Sequence, residues 1–427
     1  MNKKRSPQLT FSRRNILKTI SFAGSIRLGS TGAAAQVTDR DVWVFDVGDL
    51  VVSSPTVVGD TLYVGSNGSD VYAIDKFTGN EKWIFETGDF VNSSPAVVND
   101  TVYIGSNDNS VYAINRNTGE ERWEFDTGDQ IRSSPTFSNG TVFIGNGDFR
   151  DPTDTAIYAI NADSGQQEWR YEVGDRVSSA PVVDDEVVYV TSTDGKLYTL
   201  DTIDGSLNWS KDIGAGSGSP ALVNETVYAA GSGGVFALDK ETGSEQWIYE
   251  EEVSFISNTP TIANGVLYIG LASANKVSAI SIDSGNEIWD FSTGNKVFSS
   301  PTHADGNIFV GNEGGNVFSI DAKTGDENWQ FSVGDETGSS PIVVDGTLYI
   351  GSIERDPYGG AVYAIDTDVS GSSDGSRSRL GTLGHNDAWE YADETGLSDS
   401  TLMAAVGGAV VGPVFGYGLY RLITHSR

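Results

Sequence analysis

The chain has 427 residues, with 27 Lys and Arg against 59 Asp and Glu, so its formal net charge is −32. Such a surface repels phosphate backbones, which excludes nucleic acid as a partner, and its carboxylate excess resembles that of proteins from salt-loving organisms. Because the sequence has no cysteine, disulfides, thiolate metal sites and cysteine nucleophiles are excluded too.

Residues 1–35 are typical of an export signal. Arg13 and Arg14 precede a mildly apolar stretch that ends at three alanines, residues 33–35. This pattern resembles a twin-arginine signal, although Arg27 interrupts the apolar stretch, and the alternative is a basic tail. The pattern predicts that the protein crosses a membrane already folded.

Residues 36–366 contain eight units of about forty residues, the length of one four-stranded propeller blade. The unit from Ser53 to Trp83 reads SSPTVVGDTLYVGSNGSDVYAIDKFTGNEKW, and the unit from Ser93 to Trp123 is nearly the same. One proline marks each unit: Pro55, Pro95, Pro135, Pro181, Pro220, Pro260, Pro301 and Pro341. Short alternating apolar runs between turn residues predict four strands per unit.

The ends of the array indicate how the ring closes. The last unit, Ser339 to Asp366, lacks a fourth strand, whereas Asp41 to Asp49 reads as a fourth strand with no blade before it. We therefore predict an all-β, eight-bladed propeller whose last blade is completed by the N-terminal strand. A closed ring leaves no open sheet edge.

The segment from Ala73 to Trp83, AIDKFTGNEKW, resembles the tryptophan-docking motif of PQQ-type (quinoprotein) propellers. Glycine supplies the positive φ of the Thr-Gly turn, and the indole is expected to pack between blades with its N–H bonded there. The expected docking residues are Trp43, Trp83, Trp123, Trp169, Trp209, Trp247, Trp289 and Trp329. The resemblance covers both PQQ-dependent dehydrogenases, which hold the quinone with calcium, and cofactor-free envelope-assembly propellers of the BamB type.

Candidate binding residues cluster where the chain enters the first strand of each blade, because that strand lines the central channel of a propeller. The equivalent positions are Val52, Asn92, Arg132, Ser178, Ser217, Ser257, Phe298 and Gly338. Arg176 and five aspartates lie beside them: Asp49, Asp89, Asp129, Asp175 and Asp335. These predict a mixed-charge channel mouth; the alternative is that the aspartates only close turns, which Asp does well.

Two units carry longer turns between the second and third strands. These insertions, Asp148 to Thr155 in the third blade and Glu354 to Gly360 in the eighth, both contain Asp-Pro and carry Arg150 and Arg355. Insertions in repeat proteins mark the binding face, so we expect partner contact here, with loop drift as the alternative. The candidate partner-binding residues are therefore Asn92, Asp129, Arg132, Arg150, Asp175, Arg176, Phe298 and Arg355.

No catalytic residue, metal site or cofactor is predicted. His303 follows the seventh proline and reads as a strand residue, and no Glu, Asn and Asp set stands out as a calcium site. The sequence favours a protein-interaction or envelope-assembly scaffold. The alternative function is PQQ-dependent oxidation with calcium, and capture of a carbohydrate or small ligand is a third possibility.

The C-terminal segment predicts attachment to a membrane. Residues 367–400, rich in Ser, Gly and Asp, read as a flexible stalk, and residues 401–423 are uncharged until Arg421, long enough to span a bilayer. The positive charges beyond the span place residues 424–427 in the cytoplasm and the propeller outside. Gly408, Gly412 and Gly416 would line one face of this helix, which suggests pairing of helices.

Three sequons begin at Asn99, Asn139 and Asn224, in the predicted turns between first and second strands. They would carry glycans on the face of the propeller opposite the insertions. The same residue pairs are also favourable tight-turn sequences, so the two interpretations remain open.

Overall fold

A computed structural model describes residues 40–148, 150, 152–184, 186–251, 258–355 and 358–373. Eight four-stranded antiparallel sheets follow one another along the chain, and the first strands of neighbouring blades lie side by side. The predicted all-β, eight-bladed architecture is confirmed.

The strands of each blade are given from the channel outward. Blades 1 to 4 consist of Thr56–Val58, Thr61–Gly65, Asp70–Asp75 and Glu81–Glu86; Ala96–Val98, Thr101–Gly105, Ser110–Asn115 and Glu121–Asp126; Thr136–Ser138, Thr141–Gly145, Ala156–Asn161 and Gln167–Glu172; Val182–Asp184, Val187–Thr191, Lys196–Asp201 and Leu207–Asp212. Blades 5 to 8 consist of Ala221–Val223, Thr226–Gly231, Gly234–Asp239 and Glu245–Tyr249; Thr261–Ala263, Val266–Leu271, Lys276–Ser281 and Glu287–Ser292; Thr302–Ala304, Asn307–Gly311, Asn316–Asp321 and Glu327–Ser332; Ile342–Val344, Thr347–Gly351, Ala361–Asp366 and Asp41–Asp46. A hairpin of Glu354–Arg355 and Tyr358–Gly359 and a 3₁₀ turn at Ala272–Ala274 complete the described elements.

Blade 8 is completed by the N-terminal strand. Asp41–Asp46 runs antiparallel to Ala361–Asp366, with Trp43 opposite Ala364. The last blade is therefore built from both ends of the repeat array, as predicted.

The core lies between blades rather than within one body. Second and third strands such as Thr61–Gly65 are buried along their length, whereas the fourth strand Glu81–Glu86 turns charged residues outward and Trp83 inward. One core cluster combines Tyr63 and Trp83 of blade 1 with Val102 of blade 2. Each blade thus buries its apolar faces against its neighbours, which explains how a repeat too small to fold alone is stable in the ring.

The repeated Ser-Ser-Pro segment ties the ring together. The hydroxyl of the first serine accepts a hydrogen bond from a backbone N–H of its own blade: Gly65 N donates to Ser53 Oγ (3.1 Å). The hydroxyl of the second serine accepts a hydrogen bond from the preceding blade: Ser54 N of blade 1 donates to Ser94 Oγ of blade 2 (2.9 Å).

Together the side chains at this second position form a hydroxyl belt around the channel, made of Ser54, Ser94, Ser134, Ser219, Thr259, Ser300 and Ser340. Ser340 N donates to Ser54 Oγ at 2.9 Å and so joins the last blade to the first. Ala180 stands at the same position in blade 4 and interrupts the belt, because its methyl group cannot accept a hydrogen bond.

Residues 367–373, which their composition assigned to the stalk, pack on blades 7 and 8. Asp305 Oδ2 accepts from the N–H groups of Ser370 (3.1 Å) and Gly371 (2.7 Å). Ser373 N donates to Val343 O at 2.8 Å, and Val343 N donates to Ser373 Oγ at 2.7 Å. Because Val343 belongs to the innermost strand, this segment reaches the inner edge of blade 8.

Candidate functional site

Two sets of loops share one end of the propeller, here called the loop face: the interblade loops, which join one blade to the next, and the turns between second and third strands. They are hydrogen-bonded to each other, as in Asn67 N to Leu50 O (2.9 Å) and Asn107 N to Phe90 O (2.8 Å). The opposite end, the far face, carries the remaining turns. Arg40, which precedes the fourth strand of blade 8, lies toward the far face. Ser373 is bonded to Val343, the middle residue of the innermost strand of blade 8.

The predicted channel-mouth residues do lie in equivalent places. Seven of them are half-buried: Val52, Asn92, Arg132, Ser178, Ser217, Phe298 and Gly338. The eighth, Ser257, lies outside the described residues. Asn92 Nδ2 is 3.4 Å from Asn107 Oδ1, and the Phe298 ring lies 5.8 Å from the Nζ of Lys296.

The five aspartates of the interblade loops accept hydrogen bonds from backbone N–H groups. Asp49, Asp89, Asp129 and Asp175 each accept a hydrogen bond from the next residue's N–H, at 2.7–3.0 Å. Asp335 accepts instead from Arg355 N at 2.9 Å. The contacts of the first four aspartates are those expected of aspartates that close turns.

The blade 3 insertion is fixed to the loop face. Asp129 Oδ2 accepts from the N–H groups of Thr153 (2.8 Å) and Asp154 (3.1 Å). Asp154 also pairs with the guanidinium of Arg170 in the outer strand, and Thr155 Oγ1 donates to Val173 O at 2.8 Å. This double attachment orders the stem of the insertion and leaves Arg150 exposed.

The blade 8 insertion is also held by an aspartate of an interblade loop. Asp335, the counterpart of Asp129, accepts from the insertion backbone at Arg355, whose guanidinium pairs with Glu336. Gly360 O accepts from Val47 N at 3.0 Å, which ties the insertion to the interblade loop of blade 1. Arg355 remains exposed, with 67% of its side chain accessible.

Three arginines come from separate segments to one part of the mouth. Arg132 lies in the interblade loop of blade 3, Arg150 in the insertion and Arg176 in the interblade loop of blade 4. Burial and the charges of Arg176 and Arg150 lower the pKa of Arg132, against the opposite influence of Asp148 and Asp89. Arginine remains protonated in proteins, so this lowered pKa reports partial desolvation among like charges.

Gly147 lies against Arg176 at this mouth, and no sequence motif singles this glycine out. Its N–H donates to Gln130 O at 2.9 Å, as Asn107 does to Phe90 O in blade 2. With φ of +135°, a Cβ at this position would lie 2.6 Å from the Cα of Arg176. Only a glycine admits so close an approach of the next blade's loop.

Phe90 is a second residue that the sequence did not single out. It lies in the interblade loop of blade 2, two residues before Asn92, and is 42% exposed. The signal that marks it is a large aromatic at a loop position occupied by Leu50, Gln130 and Arg176 in other units.

His303 is a strand residue, as its position in the repeat predicts. His303 is buried in the first strand of blade 7 and stacks on Tyr268, with 6.2 Å between ring centres. No group of three His, Asp or Glu side chains within the described ranges is placed to hold a metal ion. Asp129 and Asp175 each accept a hydrogen bond from a backbone N–H group.

The sequons lie on the far face. Asn99, Asn139 and Asn224 adopt φ of +52°, +49° and +51°, the left-handed conformation that the central residues of tight turns require. Their exposure leaves glycosylation an untested hypothesis.

In the part of the chain that the structure describes, no helix has both the length and the apolar composition needed to cross a bilayer. The predicted signal at residues 1–35 and the predicted span at residues 401–423 lie outside that part.

The ring of four-stranded blades, with a tryptophan docked across nearly every seam, defines a β-propeller of the PQQ-type repeat class. The chain belongs to the family described as outer membrane protein assembly factor BamB, with the PQQ_2 repeat, which matches residues 29–148, 107–273 and 273–414.

Individual relatives match parts of the chain. It is 31% identical over 109 residues to the outer membrane protein assembly factor BamB of Xanthomonas campestris pv. campestris, covering 22% of this chain and 27% of that protein. It is 29% identical over 126 residues to the Escherichia coli K12 BamB, covering 25% of this chain and 32% of that protein. The aligned part thus spans about a third or less of these relatives.

Solved structures show the same fold. The crystal structure of BamB from Moraxella catarrhalis has a TM-score of 0.62 at 18% identity, covering 75% of this chain and 99% of that one. A europium-containing methanol dehydrogenase has a TM-score of 0.67 at 15% identity, covering 77% of this chain and 93% of that one. A dehydrogenase and an assembly factor share the fold, so the fold does not choose between these functions.

Proposed function

We propose that this propeller is a non-catalytic scaffold that binds another envelope protein through its loop face. The observation that carries the proposal is the shared attachment of the two insertions. Asp129 and Asp335 hold them by the same contact, and each insertion presents one exposed arginine on the same face. Ordered loops with exposed arginines are typical of binding surfaces, because little conformational entropy is lost when they bind.

The family supports a role in assembly, because its members are named for outer membrane protein assembly. We propose that residues 1–35 direct export and that residues 401–423 anchor the protein in the membrane with the propeller outside.

The test replaces both insertions with the short Asn107–Ser110 turn. We expect capture of the partner from cross-linked intact cells to be lost, while thermal unfolding shows that the ring persists. The matched control is Asn139→Asp, which changes a far-face turn to the Asp-Gly pair found at Asp305 and Gly306. Unchanged capture by the double replacement would contradict the proposal.

The alternative function is PQQ-dependent oxidation, which the likeness to methanol dehydrogenase makes worth testing. The purified protein is mixed with PQQ and calcium and examined for a bound quinone spectrum and dye-linked oxidation of alcohols. We expect neither, because both carboxylate oxygens of Asp129 already accept backbone hydrogen bonds. Binding with turnover would replace the scaffold proposal.

A further inference from the structure

Side-chain amides form a row on the loop face where blades 1 and 2 meet. Asn67 lies in the turn between the second and third strands of blade 1, and Asn107 takes the equivalent place in blade 2. Asn92 enters the first strand of blade 2, and its Nδ2 is 3.4 Å from Asn107 Oδ1. We call Asn67, Asn92 and Asn107 the amide row. In blades 3 and 4 the same places hold other residue types: Arg132, Gly147, Ser178 and Thr193.

The backbone brings an exposed aromatic ring beside the amide row. Val91 N donates to Ser66 O at 2.9 Å, so Phe90 and Asn92, on either side of Val91, lie against the turn that carries Asn67. Phe90 O also accepts from Asn107 N at 2.8 Å. Because Phe90 is 42% exposed, this seam presents an apolar ring and side-chain amides together.

The amide of Asn67 has hydrogen-bonding capacity that its surroundings leave unused. Its Oδ1 is shielded from solvent and has no hydrogen-bond partner within the described ranges. A buried acceptor without a partner costs free energy, which a ligand that donates to it would offset. Since rotation about χ2 is soft in asparagine, the amide can reorient toward a ligand that enters beside Phe90.

We infer that the amide row and Phe90 bind an uncharged saccharide, an inference that goes beyond the proposed function and does not depend on it. An amide both donates and accepts hydrogen bonds, and so does each hydroxyl group of a sugar. A sugar ring also has an apolar C–H face, which packs on an exposed aromatic ring. The net charge of −32 disfavours an acidic ligand but not a neutral one.

An extended peptide fits this seam less well. A peptide that adds to a strand edge binds through unpaired backbone N–H and C=O groups. Here the carbonyl oxygens of Leu50, Ser66 and Phe90 already accept from backbone N–H groups at 2.8–2.9 Å. The seam therefore offers a ligand mainly its side chains, which suits hydroxyl groups around a ring.

The test measures saccharide binding to the purified protein by saturation-transfer difference NMR. The neutral probes are maltotriose, cellotriose, mannotriose and chitotriose, with trigalacturonate as the acidic comparison and tetra-alanine as the peptide comparison. We expect at least one neutral probe to bind saturably. Its dissociation constant should not change when salt is raised, because no ion pair forms.

Substitutions then locate the site, with thermal unfolding to verify that each variant is folded. Asn67→Ala and Asn92→Ala are each expected to weaken binding about tenfold, the loss of one hydrogen-bonding group. Phe90→Ala should weaken it at least as much, whereas Phe90→Trp should retain it because the indole also offers a flat apolar face. The matched controls are Asn117→Ala and Phe77→Ala, whose side chains are exposed in far-face turns. Both should bind as the wild type does.

The inference is overturned if no neutral trisaccharide binds, if only trigalacturonate or tetra-alanine binds, or if the double variant Asn67→Ala/Phe90→Ala binds the saccharide unchanged. Its failure differs from that of the proposed function, because the insertions of blades 3 and 8 are not part of this seam. If no saccharide binds while the insertion replacement abolishes partner capture, the scaffold role stands alone. If a saccharide binds while that replacement leaves capture unchanged, the saccharide site stands and the scaffold role fails.

Discussion

The indole Nε1 of Trp43 donates a hydrogen bond to the carbonyl oxygen of Lys76 at 2.9 Å. Trp43 lies in the N-terminal strand that completes blade 8, and Lys76 follows the third strand of blade 1. The same bond recurs from Trp83 to Arg116 (2.8 Å) and at five further seams. At the closing seam it joins the last blade to the first.

Substitution of Trp43 tests this closure. We expect Trp43→Ala to lower the free energy of unfolding by about 3–5 kcal/mol, because it removes a buried ring at the seam that holds the circle together. Trp43→Phe keeps an aromatic ring but loses the bond to Lys76 and should cost less. Denaturant unfolding measures both.

Val42→Ala is the control, since Val42 is on the same strand but 44% exposed. It should change the free energy of unfolding by less than about 0.5 kcal/mol. An equal loss in the two alanine variants would show that the strand, rather than the indole, matters.

The glycine of the Thr-Gly turn adopts a positive φ and also leaves room for an indole ring. Two alanine substitutions can separate these two effects. Gly79 has φ of +68°, and a Cβ there would lie 2.8 Å from the ring of Trp43. Gly59 has φ of +61° with nothing within 4 Å. Both alanine variants incur the left-handed backbone penalty of about 1–2 kcal/mol, so the additional destabilisation of Gly79→Ala measures the packing of the indole. Equal unfolding free energies would contradict that contact.

Completing the hydroxyl belt should stabilise the ring. In blade 4, Ala180 offers no acceptor to Ser134 N, whereas Ser134 Oγ accepts from Ser94 N at 2.9 Å. Ala180→Ser is expected to raise the free energy of unfolding by about 1 kcal/mol, and the reverse change Ser94→Ala to lower it by a similar amount. A lower melting temperature for Ala180→Ser would mean that the blade 3–4 seam has no room for the hydroxyl.

Acid is expected to weaken the seam between blades 5 and 6. Glu287 accepts hydrogen bonds from Tyr249, Lys276 (3.2 Å) and Ser278 (3.2 Å). Burial acts to raise the pKa of Glu287, but these bonds outweigh it and hold the pKa below its ordinary value. Because the folded-state pKa is the lower one, the stabilisation is complete above the unfolded-state pKa of about 4.3 and is lost as the pH falls through the folded-state pKa.

The measurement compares the free energy of unfolding of the wild type and of Glu287→Gln from pH 7 down to about pH 3. The stability advantage of the wild type should be constant at neutral pH and disappear in acid. The control is Glu327→Gln at the equivalent position in blade 7. It shows how much stability changes when a carboxylate is removed from this position of the fourth strand. A difference that does not change with pH would contradict the role of Glu287.

In blade 7 the repeat pattern does not predict what the docking tryptophan contacts. Trp329 faces blade 8, which has no Thr-Gly turn because its third strand is followed by residues 367–373. The guanidinium of Arg40 covers this indole instead, 4.6 Å from its ring centre, and Arg40 also pairs with Asp368 at 2.6 Å. The sequence marks Trp329 as a docking residue, but nothing local indicates that the N-terminal segment supplies its partner.

The sequence by itself determined the blade count, the four strands of each blade and the closure by Trp43, because these follow from a period and from alternation within a few residues. Only the tertiary structure decided that the serines before the prolines form a belt, that Asp129 holds an insertion, and that Gly147 admits Arg176. Those contacts join residues about 20 to 40 positions apart across turns and seams. Their partners depend on how neighbouring blades are placed, which no local pattern encodes.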